Sequence, residues 1–143
     1  MKIITINTDG GARGNPGPAG IGIVVSDGKN KLAEIKEKIG ETTNNVAEYR
    51  AVIKALDWLQ ENIDQIKPDR INFNLDSMLI VNQIIGKYRI KQEHLKLLNQ
   101  NIQEKIKLFN IPINFNYIPR TQNKISDKLV NQVLDEKTSL SNK

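Results

Sequence analysis

The chain of 143 residues contains no cysteine, one histidine and one tryptophan, and aromatic residues make up only 5 % of it. The missing thiols exclude disulfides and thiolate-held zinc or iron–sulfur centres, and they fit a reducing compartment. The single histidine, His94, falls mid-helix, where a solvated face is expected. No apolar run reaches the length a membrane-crossing helix needs. The start of the chain, with one lysine and three or four apolar residues, is too short for a secretory core, so the expectation is a cytoplasmic protein. Two familiar phosphate-binding patterns are also missing. Gly10-Gly11-Ala12-Arg13-Gly14 is not G-x-G-x-x-G, and no Gly-Lys-Ser/Thr follows.

What is present is an ordinary globular composition with a basic balance. Charged residues are 26 % and apolar residues 38 %, and 21 Lys and Arg against 16 acids give a formal charge of +5. That excess favours an anionic partner, nucleic acid first among them. The length suits one domain, which we place at 1–137, with 138–143 as a frayed tail.

Hydrophobic patterning predicts nine segments. Lys2 to Asn7 and Ile21 to Ser26 are β-branched runs that read as strands, separated by the glycine- and proline-rich stretch Thr8 to Gly20. Such a connection is far longer than a hairpin needs, and bare glycines let backbone approach a ligand. Asp27 to Asn30 is a turn, and Lys31 to Ile39 alternates as a third strand that Gly40 breaks. Helical spacing of Tyr49, Val52, Ile53, Leu56, Leu59 and Ile63 predicts a helix from about 45 to 62. A strand follows at 71–75, then a short helix carrying Leu79, Ile80, Val81, Ile84 and Ile85, then a helix over about 92–109. A strand at 113–118 and a last helix marked by Ile125, Leu129 and Val133 complete the order βββαβααβα. That order predicts an α/β fold, a mixed sheet with helices on both faces.

Four acids fall at element boundaries: Asp9, Glu48, Asp76 and Asp127. Each has an ordinary explanation, for Asp9 that of a solvated aspartate in a plain loop. Glu48 has capping-box spacing from Asn45, Asp76 could cap the helix after it, and Asp127 could favour a helix dipole. Together they could meet at one edge of the sheet. Clustered carboxylates repel and take up protons unless divalent cations neutralise them. All-oxygen ligation suits Mg²⁺ or Mn²⁺, and two such ions can drive an in-line phosphoryl displacement.

With those residues in view, the sequence resembles the type 1 ribonucleases H. Thr8 to Gly20 is similar to the family's opening motif, Thr43-Asn44-Asn45-Val46-Ala47-Glu48 to its helix-start motif, Leu75-Asp76-Ser77 to its third and Arg120 to Asp127 to its last. The resemblance covers about residues 1–135. It implies a ribonuclease H-like fold with a five-stranded mixed sheet. It also implies cleavage of the RNA strand of RNA–DNA hybrids to give 5′-phosphate and 3′-hydroxyl ends. It carries over Asp9, Glu48, Asp76 and Asp127 as catalytic, metal-binding acids for two Mg²⁺, with Mn²⁺ as a substitute. Substrate contacts are implied at Gly10, Gly11, Arg13, Asn15, Thr43, Asn44, Asn45 and Ser77, and auxiliary roles at Arg120 and Asn123. Contacts to ribose 2′-hydroxyls distinguish RNA from DNA. A monomer working on nucleic acid, with no membrane, is expected.

The sequence departs from the family in four places, one of them Met78, which follows Asp76-Ser77 where a polar residue often contacts substrate. Many members carry a histidine in the loop before the last aspartate, where this chain offers only Arg120. Many bacterial members insert a basic handle where this chain has Lys87 to Lys91, so it is similar to the compact branch. Ser126 stands where alanine is common. A catalytically weak, hybrid-binding module of the same fold is therefore the alternative. Another nuclease of this architecture is disfavoured, because exonucleases of that kind need a second acid where Gly11 stands.

Overall fold

The computed structural model describes residues 1–136, so the tail expected at 138–143 lies outside the described residues. Three strands, β1 (Ile3–Ala12), β2 (Gly17–Asp27) and β3 (Asn30–Thr42), form an antiparallel meander. Helix α1 (Asn44–Ile66) leads to β4 (Arg70–Leu75). Helices α2 (Met78–Ile84) and α3 (Glu93–Ile106) lead to β5 (Ile113–Tyr117), and a 3-10 turn over Arg120–Gln122 precedes α4 (Lys124–Asp135). The sheet order is β3-β2-β1-β4-β5, with β4 parallel to both neighbours. This is the predicted element order and the predicted mixed sheet.

The two faces of the sheet are built differently. Alternation along β1 and β2 sends Ile4, Ile6, Ile21 and Ile23 to the α1 face, where they pack with Tyr49, Val52, Leu56 and Leu59. Phe73 joins them and stacks on Phe115 with ring centroids 4.7 Å apart. On the opposite face α4 lies across β2 and β1. Its Leu129, Val130 and Val133 are buried against a glycine floor. A Cβ on Gly22 would stand 2.3 Å from the Ser126 carbonyl oxygen, and one on Gly20 would stand 2.6 Å from Val133 Cγ1.

Several boundaries differ from the sequence expectation. β1 does not end at Asn7 but pairs with β2 as far as Ala12↔Ala19, so the true loop is only 13–16. Glycines weaken a strand in isolation; here the helices on either side need them bare. β3 passes through Gly40 to Thr42, because Gly40 at φ +82 absorbs a bulge opposite Ala19 and Gly20. α1 runs on to Ile66 and ends where Lys67, at φ 53, donates its N–H to the Ile63 carbonyl at 2.8 Å. Ile125, Leu79 and Ile85 were expected on apolar stripes and are exposed. In α4 the buried stripe is rotated by one residue, to Ser126, Leu129, Val130 and Val133.

Candidate active site

Pairing between β1 and β4 stops at Thr8↔Leu75, while β1 continues alongside β2. Asp9 and Asp76 are the next residue on each strand. Two parallel neighbours one step past their last pair bring their side chains within a strand spacing of each other. Glu48 arrives from α1. Gly10 has no Cβ, which would lie 2.3 Å from the Ala47 carbonyl oxygen, so α1 sits directly on β1. The Gly10 N–H then donates to Glu48 Oε1 at 3.2 Å. Asp9, Glu48 and Asp76 each offer a carboxylate oxygen within 4.8 Å of the others. Asp127 stands outside that trio, in the first turn of α4, on the same cleft and close enough to Asp9 to act on its ionisation.

The ordinary explanations fail for three of the four, Asp9 being a buried strand residue and not a solvated loop acid. Thr43, not Asn45, caps α1, accepting from the Val46 N–H at 3.3 Å, and Glu48 lies beyond the first turn. Ser77, not Asp76, caps α2, its hydroxyl accepting from the Ile80 N–H at 3.3 Å. Asp127 does lie in a first helical turn.

The electrostatics are those of negative charge without enough compensation. Burial, reinforced by the charges of Asp76 and Asp127, pushes the Asp9 carboxyl from 3.8 up to about 7. Burial and the neighbouring Asp9 hold the Glu48 carboxyl well above its ordinary range. Glu48 Oε2 is buried with no hydrogen-bond partner. A buried carboxylate oxygen left unpaired is costly, and two more acids lie beside this residue. The donor set is all oxygen, as a hard divalent cation requires. The residues present fit such an ion.

The cleft above the acids has a volume of about 390 Å³. Of the expected substrate contacts, Gly11, Arg13, Asn44, Asn45 and Ser77 line it with Gly10. Gly10 spends its N–H on Glu48, and its bareness serves helix packing rather than a ligand. At Gly11, by contrast, an added Cβ would meet nothing closer than 3.8 Å. Arg13 is tied to α4, with Nη1 2.5 Å from Asp135 Oδ1. Asn15 and Asn44 staple the loop to the helix. Asn44 Oδ1 accepts from the Ala12 N–H at 2.8 Å, and Asn15 Oδ1 accepts from the Asn44 N–H at 3.0 Å. The amide groups left to address a ligand are their NH₂ ends. Thr43 is occupied as the cap of α1. Arg120 lines the cleft and is exposed, whereas Asn123 is buried. His94 is exposed and does not line the cleft.

Sequence reasoning missed Asn131 and Leu134, which share the cleft with Asp127. Their spacing of four and seven residues from Asp127 was the available signal. It also missed Gln83, buried on α2, whose Oε1 accepts from the Tyr49 hydroxyl at 2.7 Å.

A family model described as "Reverse transcriptase-like" matches residues 7–133. The structure of LC11-RNase H1 in complex with an RNA/DNA hybrid superposes with a TM-score of 0.87 at 46 % identity, covering 92 % of this chain and 96 % of that one. RNase H1 from the archaeon Halobacterium salinarum gives 0.84 at 33 % identity, covering 94 % of this chain and 99 % of that one. Among curated sequences, the bifunctional protein Rv2228c of Mycobacterium tuberculosis is 41 % identical over 139 residues, 94 % of this chain and 36 % of that protein. The chain thus spans about a third of the length of that relative.

Proposed function

The chain belongs to the type 1 ribonuclease H family, and from that premise we propose that it is an endoribonuclease that hydrolyses the RNA strand of RNA–DNA hybrids. The observation that carries the reading is the convergence of Asp9, Glu48 and Asp76 around a buried carboxylate oxygen with no partner. The hybrid bound by LC11-RNase H1, a 46 % identical protein, supports the choice of substrate.

In this reading Asp9, Glu48, Asp76 and Asp127 hold two divalent ions, Mg²⁺ or in its place Mn²⁺. When bound, the ions supply Lewis acidity, activating a water and neutralising charge on the phosphoryl oxygens. The chain's own residues supply position. Glu48, held by the Gly10 N–H, faces the attacked phosphodiester from the α1 side. The backbone at Gly11 and the NH₂ ends of Asn15 and Asn44 address ribose 2′-hydroxyls, which DNA lacks. Thr43, Asn45 and Ser77 hold the hybrid along the helix starts, and Arg120 faces its phosphates. Water attack on phosphorus breaks the bond to the 3′-oxygen, leaving a 5′-phosphate and a 3′-hydroxyl. The working unit is a monomeric single domain over 1–137, acting in the cytoplasm.

A labelled hybrid and an all-DNA duplex, each incubated with Mg²⁺ and then Mn²⁺, test the proposal on a gel. The hybrid's RNA strand is cut and the DNA duplex survives. Binding without cleavage in either metal would establish the alternative, a hybrid-binding module.

A further inference from the structure

Asn123 stands at the N-cap of α4 yet makes no capping hydrogen bond. An asparagine there ordinarily accepts from the first helical N–H groups through its amide oxygen. Here the side chain is 1 % exposed and its Oδ1 is buried with no partner. Both amide hydrogens are spent elsewhere. Nδ2 donates to the Thr8 carbonyl oxygen at 2.9 Å and to Asp76 Oδ2 at 2.9 Å. One side chain thus joins the last β1 residue paired with β4, the acid that follows β4 and the start of α4.

The consequence is chemical. Thr8 and Leu75 are the final rung between β1 and β4, so Asp76 has no sheet partner of its own. Its carboxylate would rotate freely about its last torsion without an external hold. Asn123 provides one from a neutral donor, leaving the negative charge in place. Glu48 repeats the arrangement, with Oε1 held by the Gly10 N–H and Oε2 left over. On each of these acids one oxygen is tethered by a protein N–H and the other is free. We infer that Asn123 is a positioning residue that fixes which oxygen of Asp76 is presented to the divalent ions. The inference rests on the metal-binding reading of the acids given above.

Outer partners of metal ligands are commonly worth 10- to 100-fold in affinity. The test is calorimetric titration of the free protein with Mn²⁺, which needs no turnover. Asn123→Ala weakens Mn²⁺ binding about tenfold or more. Asn123→Ser does the same if the alanine variant does not fold, because a single hydroxyl hydrogen cannot serve both acceptors. Ser126→Ala is the control. It removes another α4-to-β1 bond, from Ser126 Oγ to the Asn7 carbonyl at 3.0 Å, without touching Asp76. It leaves Mn²⁺ affinity within about twofold. In an Asp76→Asn background the Asn123 substitution adds no further loss. The inference is overturned if the Asn123 variants bind Mn²⁺ like the parent, if Ser126→Ala weakens binding equally, or if the losses simply add. No Mn²⁺ binding by the parent protein would instead overturn the metal reading and this inference with it. Cleavage by the Asn123 variants recovers as Mg²⁺ is raised, which a purely structural defect would not do.

Discussion

The two faces of the sheet hold their helices by opposite means. Under α1 the contact is a jigsaw of fully buried Ile, Leu, Phe and Tyr side chains, with Tyr49 and Gln83 as its buried polar pair. Under α4 the floor is glycine, and polar links fasten the helix: Ser126 to Asn7, Asn123 to Thr8 and Arg13 to Asp135. Beyond α4 the same face carries asparagines, with Asn74 donating to Asn7 and Asn114 donating to Asn72. Burial of apolar area supplies most folding free energy, so the α1 side is the stable half. The α4 side brings in Asp127 and Asn123, and its hold is directional rather than bulky. The α1 face thus carries most of the stability, while both faces send acids, Glu48 from α1 and Asp127 from α4, to the end of the β1–β4 pairing.

The sharpest way to break that division is Asp9→Asn. Hybrid cleavage should fall by at least about 10³, or roughly 4 kcal/mol of barrier, while the fold persists; retained turnover would remove Asp9 from the chemistry. The same variant reports on pH. With its carboxyl raised from 3.8 to about 7, metal-free folded protein holds the Asp9 proton more tightly than unfolded chain does. The resulting stability is present below about pH 4 and is lost as pH climbs towards 7. Metal-free parent protein should therefore melt lower at pH 8 than at pH 5, and Asp9→Asn should flatten that slope. Added Mg²⁺ should raise the melting temperature of the parent at pH 8. An unchanged temperature on either test counts against buried, uncompensated acids.

Next in size is the apolar face. Leu56→Ala should cost about 2–5 kcal/mol in urea unfolding, with Mn²⁺ affinity kept wherever the variant is folded. Gly22→Ala probes the other face. Its new Cβ meets the Ser126 backbone, so it should cost about 1–3 kcal/mol and depress cleavage more than Leu56→Ala does at matched folded fraction. Equal depression would mean that the faces are not functionally distinct. The smallest effect is expected at Lys38, whose Nζ donates to the Glu136 carbonyl at 2.8 Å beyond the end of α4. Lys38→Ala should cost no more than about 1 kcal/mol, and a larger loss in thermal melts would show that α4 leans on its C-terminal end.

Much of this was legible in the residues because period-2 and period-3.6 patterns are written by the main core. Ile4, Ile6, Phe73, Leu56 and Leu59 all point where alternation and helical spacing say they should. The four acids were legible as boundary residues, and the structure brings three of them together. What escaped depended on partners far away in the chain. Nothing local says that Gly10 and Gly20 make room for helices that start dozens of residues later, so their stretch reads as loop. Nothing local distinguishes Ile125 from Val130, because which side of α4 is covered is set by β2. The capping roles of Thr43 and Ser77 were hidden by acids nearby that had plausible claims to them.

The last rung at Thr8 and Leu75 makes strand slippage a chemical event as well as a structural one. Sliding β4 by one residue against β1 would carry Asp76 along by about 3.3 Å and turn it to the other side of the sheet. Insertions in the 67–69 connection therefore threaten the acids directly, unless they are looped out before Arg70 re-enters its pairing with Ile3.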